Sequence, residues 1–405
     1  MNENFIKYAD LLLIRCLNLN ERVRPLLISA PIKAIDFIQV LTNRAYELGV
    51  TDIYFDWEDN GLKREQLLHL EKEDLLESSF WNKKIFDEYA KKDAAFLMLY
   101  SDAPEMMKDI PSEKISITSH QFRASRPYYK KRQSTDDVPW CIAIVATEEY
   151  AKQVFPDKEN ALELTWDAIF KCCLVYEDNP IEAWNEKTKL SHKKSSLLNQ
   201  YRFRYLHYEN SLGTDLVIEL PKNHIWCGAG DGPLIVNMPT EEVFTTPLRT
   251  GVNGTIYSAR PLVYGGSLIE DFSFRLEDGK IVEINAEKGK EILENMVATD
   301  SNSCYLGEVA LVDYDSPISN MNIVFYETLY DENASCHLAI GDGFPKCYEN
   351  GENMSREELL EQGVNHSTVH TDFMVGTSDL KITGTTWDGE EYTVFENGNF
   401  VLKEK

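Results

Sequence analysis

Residues Ile35–Trp57 read IDFIQVLTNRAYELGVTDIYFDW, and the fold class turns on this stretch. Ile35, Ile38, Leu41, Ala45 and Leu48 recur at the spacing that lines one face of an α-helix, and Gly49 follows where a helix C-cap favours a left-handed residue. Thr51–Trp57 then reads as a strand. Working outward, the alternation continues. Upstream, Phe5, Ala9, Leu12, Leu13 and Cys16 form another helical stripe, followed by the apolar run Pro25–Ala30. Downstream, Leu62–Leu76 is helix-like, Ala94–Tyr100 and Pro139–Ala146 are strand-like, and Ala161–Val175 and Ile181–Gln200 are helix-like. Helices alternating with strands predict βαβ units and a mainly parallel sheet covered by helices. No GxGxxG fingerprint follows an early strand, so a nucleotide-binding role has no support.

The texture changes near residue 200. Strand-like segments follow at His207–Tyr208, Asp215–Leu220, Ile256–Ala259 and Phe272–Glu277, with hairpin-turn pairs at Asp278-Gly279, Asp388-Gly389 and Asn397-Gly398. Helical signals thin out to Glu287–Ala298 and Ser355–Glu361. Lys187–Ser196 reads as a polar connection. The expected fold is α/β, in two domains. An N-terminal α/β domain with a mainly parallel sheet spans 1–195, and a C-terminal mixed α/β domain rich in antiparallel strands spans 196–405.

Composition narrows the function. With 43% hydrophobic and 27% charged residues the chain is ordinary globular protein. Its net charge of −26 repels phosphate backbones and anionic lipid, which argues against nucleic-acid and membrane partners. The N-terminal MNENFIKYADLLLIRCLNL has no basic leader before an apolar core, and no apolar run nears the roughly 18 residues that span a bilayer. The 8 cysteines are scattered and form no CxxC pair, which suits free thiols in the cytoplasm.

Ligand-type side chains concentrate in the C-terminal half. His337, His366 and His370 fall in one short window dense in acids. In His370-Thr371-Asp372 an extended backbone would put both ligand-type side chains on one face, although such triplets also arise by chance. Glu332 and His337 stand five residues apart in DENASCH, a spacing that a loop glutamate beside a satisfied histidine would also produce. Glu308 interrupts the apolar run Leu306–Val312. It is either buried beside a cation or donors, or on the solvent face of a strand. In Asn237–Pro247 (NMPTEEVFTTP), Glu241 and Glu242 are adjacent and would face opposite ways on a strand; a helix cap would also account for Thr240 and one acid. Carboxylates with imidazoles suit two Zn²⁺, Mn²⁺, Co²⁺ or Mg²⁺ ions about 3.5–4 Å apart, bridged by a carboxylate.

At NMPTEEVFTTP, LGEVALV, ENASCH and HTDFMVG the chain resembles the thermophilic aminopeptidases, the bacterial family related to aminopeptidases T and S. The likeness extends through Lys7-Tyr8-Ala9, Ala45–Trp57, Trp166–Trp184, Gly213–Leu216 and His224–Gly228, nearly the whole chain. The resemblance implies a cytoplasmic, homodimeric metalloaminopeptidase acting on peptides with a free N-terminus through a metal-activated water. It implies two divalent ions on Glu242, Glu308, Glu332, His337, His370 and Asp372, with Glu308 bridging. Ligand chemistry alone would also admit Glu327 and Asp331, so the family motifs make that choice. Glu241 is the candidate general base. One departure stands out: where the family has tyrosine in a GxAYP-like turn, this chain has Gly341-Asp342-Gly343-Phe344-Pro345, and Phe344 has no hydroxyl to offer an oxyanion.

Two rivals keep the same metal site. One is a metal- or peptide-binding protein whose turnover has decayed, in line with Phe344. The other is a phosphoesterase, disfavoured because the ligand strings supply few cations to hold phosphate. A serine peptidase lacks its GxSxG, and Cys336 beside His337 reads as a small buried filler.

Overall fold

The computed structural model describes residues 2–76, 80–101, 104–107, 109–111, 113–115, 117–118, 121, 125–134, 137–228, 234–264 and 267–404. It divides into two compact units. One comprises Met1–Glu186, Gly232–Pro239 and Gly265–Ser267; the other comprises Lys187–Asp231, Thr240–Tyr264 and Leu268–Lys405.

The first unit is built on a parallel sheet of β1 (Leu26–Pro31), β2 (Ile53–Glu58), β3 (Ala95–Tyr100), β4 (Trp140–Ile144) and the short β8 (Asn237–Met238), in the order β2-β1-β3-β4-β8. The first five positions of both β1 and β3 are buried, as expected of central strands covered on both faces. One covering layer stacks Phe5, Tyr8, Phe37, Trp166 and Phe170. Another cluster gathers Leu27, Phe86, Phe96, Met98 and Tyr129. The helix predicted around Ile38 runs Ile35–Glu47, and Gly49 takes φ +94°, the left-handed conformation that ends it.

Local boundaries differ from the sequence reading in two places. The stripe over Leu62–Leu76 is two helices, Asn60–His69 and Lys72–Leu76, because Leu70 turns extended between them. The polar stretch 187–196 follows the helical reading of Ile181–Gln200, not the reading of it as a polar connection. It lies inside one helix, Pro180–Tyr201, which opens with proline and contains no other proline or glycine to break it.

The second unit contains two antiparallel sheets. The larger has nine strands. They are β5 (Tyr205–Glu209), β6 (Asp215–Glu219), β10 (Val252–Tyr257), β11 (Leu262–Tyr264), β12 (Ser267–Glu277), β13 (Lys280–Lys288), β17 (Lys381–Thr385), β18 (Glu391–Glu396) and β19 (Asn399–Phe400). The three dipeptides read as turns join β12 to β13, β17 to β18 and β18 to β19. The smaller sheet runs β16-β15-β14-β9-β7: β16 (His370–Met374), β15 (His337–Gly341), β14 (Leu306–Leu311), β9 (Val243–Thr245) and β7 (Cys227–Gly228). Leu206, Tyr208, Ile218, Phe272 and Phe274 of the larger sheet share one core with Val309, Leu311, Leu338, Ile340 and Phe373 of the smaller. Phe373 meets Phe274 edge-on at 5.2 Å. The α/β class, parallel sheet first and antiparallel strands after, is therefore observed.

Candidate metal centre

The strand period of two fixes where this chemistry lies. Since Val309, Leu338 and Phe373 point into the core between the sheets, their neighbours Glu308, Ala339 and Asp372 point to the other face. Glu308 pairs with Ala339, and Ala339 with Asp372, so the three form one row across the sheet. Ala339 contributes only a methyl, which leaves space between the two carboxylates. His370 lies two positions before Asp372 on the same face, and His337 opens β15 on the adjoining row. A bulge at Gly307 lets the strand change register there. A Cβ on Gly307 would stand 2.1 Å from the Asp342 carbonyl oxygen, so only glycine fits. Glu242 immediately precedes β9, and Glu332 closes the helix Thr328–Glu332.

Two clusters result. Glu242, Glu308 and His337 offer ligand atoms all within 4.8 Å of one another, and so do Glu308, His370 and Asp372. Glu308 belongs to both. His337 Nε2 stands 3.1 Å from Glu242 Oε2; His370 Nε2 stands 3.2 Å from Glu308 Oε2 and 3.4 Å from Asp372 Oδ1. Both imidazoles are oriented by the main chain. Nδ1 of His337 faces the carbonyls of Glu332 and Ser335 at 3.0 and 3.1 Å, and Nδ1 of His370 faces the Asp342 carbonyl at 2.8 Å. A carbonyl can only accept, so each Nδ1 carries a hydrogen and Nε2 is the atom through which each ring would bind a cation. Glu332 lies outside both trios but is coupled to them: Asp372, Glu242, His337 and Glu308 are the charges that act on it.

The electrostatics are those of a crowded, buried acid cluster. Burial raises Glu308 to about 7, with Asp372 and Glu242 adding to the rise and His370 opposing it. Burial and the same neighbouring acids hold Glu332 well above the carboxylate range. For Asp372 burial also pushes upward, but His370 and His337 outweigh it and the group falls to about 2. Burial works against a charged imidazole at His337 and His370, yet their carboxylate partners raise both. Asp372 Oδ1 is buried with no hydrogen-bond partner among the described residues. Carboxylates and Nε2 atoms converging without a thiolate fit hard or borderline divalent ions.

The remaining candidates take other places. The Glu241 carboxylate pairs with Lys187, its N–H donates to Asn333 Oδ1 at 2.6 Å, and the charges acting on it are Lys187, Lys194 and Asp313. Adjacent residues have diverged as expected, Glu242 toward His337 and Glu241 toward Lys187, so a general-base role for Glu241 would require breaking an ion pair. His366 stands outside, hydrogen-bonded through Nδ1 to the Asp342 carboxylate at 2.8 Å. Phe344 lies beside the site, its ring 4.9 Å from that of His370 and 5.4 Å from Phe244. Cys336 faces the core, where its Sγ donates to the Val312 carbonyl at 3.3 Å and burial pushes its thiol up to about 12; it is no nucleophile. Sequence reasoning missed Asp342, which aims His370 through a backbone carbonyl. Every residue has a carbonyl, so its residue type carried no signal.

Residues 1–400 match the family of thermophilic metalloproteases (M29). Aminopeptidase AmpS of Bacillus subtilis (strain 168) is 43% identical over 374 residues, 91% of each chain. Aminopeptidase 2 of Geobacillus stearothermophilus is 36% identical over 98% of this chain and 97% of its own. The solved structure of wild-type AmpT from Thermus thermophilus superposes with a TM-score of 0.91 at 34% identity, covering 98% of this chain and 99% of that one. Like them in length, fold and sequence, this chain belongs to the thermophilic metalloprotease family (M29).

Proposed function

We propose that the chain is a metal-dependent aminopeptidase whose Glu242, Glu308, Glu332, His337, His370 and Asp372 hold two divalent ions, with Glu308 shared between them. One observation carries this reading. Two imidazoles, one buried and one partly exposed, are tied through Nδ1 to main-chain carbonyls, so both Nε2 atoms face carboxylates on either side of Glu308. Charge supports the number of ions. Four carboxylates contribute −4 and two dications +4, whereas a single dication would leave −2 in a buried site.

Divalent ions held there would supply a Lewis acid and would lower the pKa of a bound water to about 7. The chain's own residues do the rest. The free α-amine of the peptide would bind at this site beside an ion or an acid, which would confine cleavage to the first residue. Phe344, against His370 and Phe244, provides an apolar wall beside the open imidazole. Glu241, engaged by Lys187, serves the site by holding its neighbour Glu242.

Cytoplasmic residence and a homodimer belong to the same proposal. Among the described residues none of the 8 cysteines is in a disulfide, in keeping with a reducing compartment, and no helix is long and apolar enough to cross a membrane. Phe344 favours one second reading, the same site with decayed turnover. A single assay separates the two. With Co²⁺ or Zn²⁺ the protein is expected to release p-nitroaniline from aminoacyl-p-nitroanilides but not from their N-acetylated forms, and a chelator should stop it reversibly. Metal binding without release would favour the decayed site; release from the acetylated substrates would refute an aminopeptidase.

A further inference from the structure

One helix grips both segments that carry the central carboxylates. Lys187, Ser191 and Lys194 lie at i, i+4 and i+7 of the helix Pro180–Tyr201 and so share one face. Lys187 pairs with the Glu241 carboxylate, and Ser191 Oγ donates to the Glu242 carbonyl at 3.4 Å. Lys194 pairs with Asp313, two residues beyond the end of the strand bearing Glu308. Asp313 is held in turn by the Phe400 N–H at 2.8 Å. From the other side Asn333, fully buried, accepts the Glu241 N–H at 2.6 Å, and its amide nitrogen donates to the Leu329 carbonyl at 2.8 Å and faces Glu332 Oε1 at 3.4 Å.

We propose that this helix face is the gauge of the metal centre, and that Lys187 and Lys194 are positioning residues which set the separation of Glu242 from Glu308. Neither lysine touches the cluster. Each holds the residue next to a ligand or just past its strand, so the helix adds a second tie between two segments whose strand pairing begins at Val243 and Leu311 and stops short of Glu242. Charges are an expensive way to hold chain together: replacing a buried pair by packed apolar residues is often neutral or stabilising. What an ion pair at each end adds is a fixed distance. Outer partners of metal ligands behave this way, and losing one costs about 10–100-fold in metal affinity.

The inference rests on the two-ion reading, and its test separates the two. Zn²⁺ affinity of the metal-stripped full chain is measured by chelator competition, beside its melting temperature without metal. Lys187→Met and Lys194→Met are each expected to weaken Zn²⁺ binding by about 10–100-fold with little change in the melting temperature, while Lys187→Arg restores most of the affinity. Should Lys187→Met fail to fold, Glu241→Gln, which keeps the shape and loses the charge, is measured with the same expectation. Wild-type affinity in folded Lys187 and Lys194 variants overturns the gauge alone, and so does a melting temperature that falls while affinity holds. A wild-type chain that binds no Zn²⁺ overturns the gauge and the metal site together.

Discussion

On one side of Glu308, His337 is 1% exposed and faces Glu242, tucked behind the helix that ends at Glu332. On the other side, the His370 side chain is 27% exposed, faces Asp372, and is flanked by Phe344. The donors are nearly matched, one imidazole and one further carboxylate around a shared glutamate, but the surroundings are not. Electrostatic attraction strengthens as water is excluded, so the deep half should keep its ion and the shallow half exchange it and meet substrate. A third histidine shows burial as the largest influence. His224 is 1% exposed, bonds through Nδ1 to the Pro221 carbonyl at 2.7 Å, and has no hydrogen-bond partner at Nε2 among the described residues. Burial lowers it to about 4, whereas carboxylates raise His337 and His370.

The largest effect is expected at the shared residue. Glu308→Gln should cost on the order of 10³-fold or more in activity, since it removes a ligand of both ions, whereas an outer partner costs about 10–100-fold. The same change should raise the melting temperature of the metal-free protein by a few degrees, because one member of a repelling acid cluster becomes neutral. Activity and apo melting curves check both halves of the prediction.

Next comes the asymmetry itself. His337→Ala should weaken the tighter-bound ion at least about tenfold more than His370→Ala does, and His370→Ala should retain one ion per chain. Stepwise chelation followed by metal analysis reads the difference, and equal losses would erase the distinction between deep and shallow halves.

His224 sharpens the contrast through pH. Its folded pKa, about 4, lies below the unfolded value of about 6.5. The unfolded chain therefore binds the extra proton first as the pH drops. The stabilisation is complete above about pH 6.5 and is lost on descending to about pH 4, a contribution of about 1–3 kcal/mol. Denaturant unfolding between pH 4 and 7 should be steeper in pH for the wild type than for His224→Gln. The smallest effect is expected at the open half: Phe344→Tyr should raise turnover about 3- to 10-fold without changing metal content, well short of the 10²–10³ of a fully aligned oxyanion donor.

How far the sequence spoke depended on whether a residue's job was local. The parallel unit was legible because covered strands are continuous apolar runs, as at Ala95–Leu99, and because Gly49 ends a helix in a way few residues can. His370 and Asp372 were legible together because a strand puts i and i+2 on one face. For Glu308 the sequence left two faces open, and burial settled it. That Glu241 and Glu242 face opposite ways was legible from their adjacency, but Lys187, the partner of Glu241, was not, because it lies 54 residues away along the chain. Asn333 sits in plain view beside Glu332, yet its grip on the Glu241 N–H spans 92 residues. Lys187–Ser196 read as a connection because its polarity suggested solvent, while its lysines pair with Glu241 and Asp313, far away along the chain.

The central claim is two cations sharing one carboxylate, and Co²⁺ titration of the metal-stripped protein, followed by visible absorption and by equilibrium dialysis, tests it most directly. The expected result is two ions per chain in the wild type, taken up in two steps of unequal affinity, with both steps lost in Glu308→Gln. A single ion at saturation, or two that persist unchanged in Glu308→Gln, would contradict it.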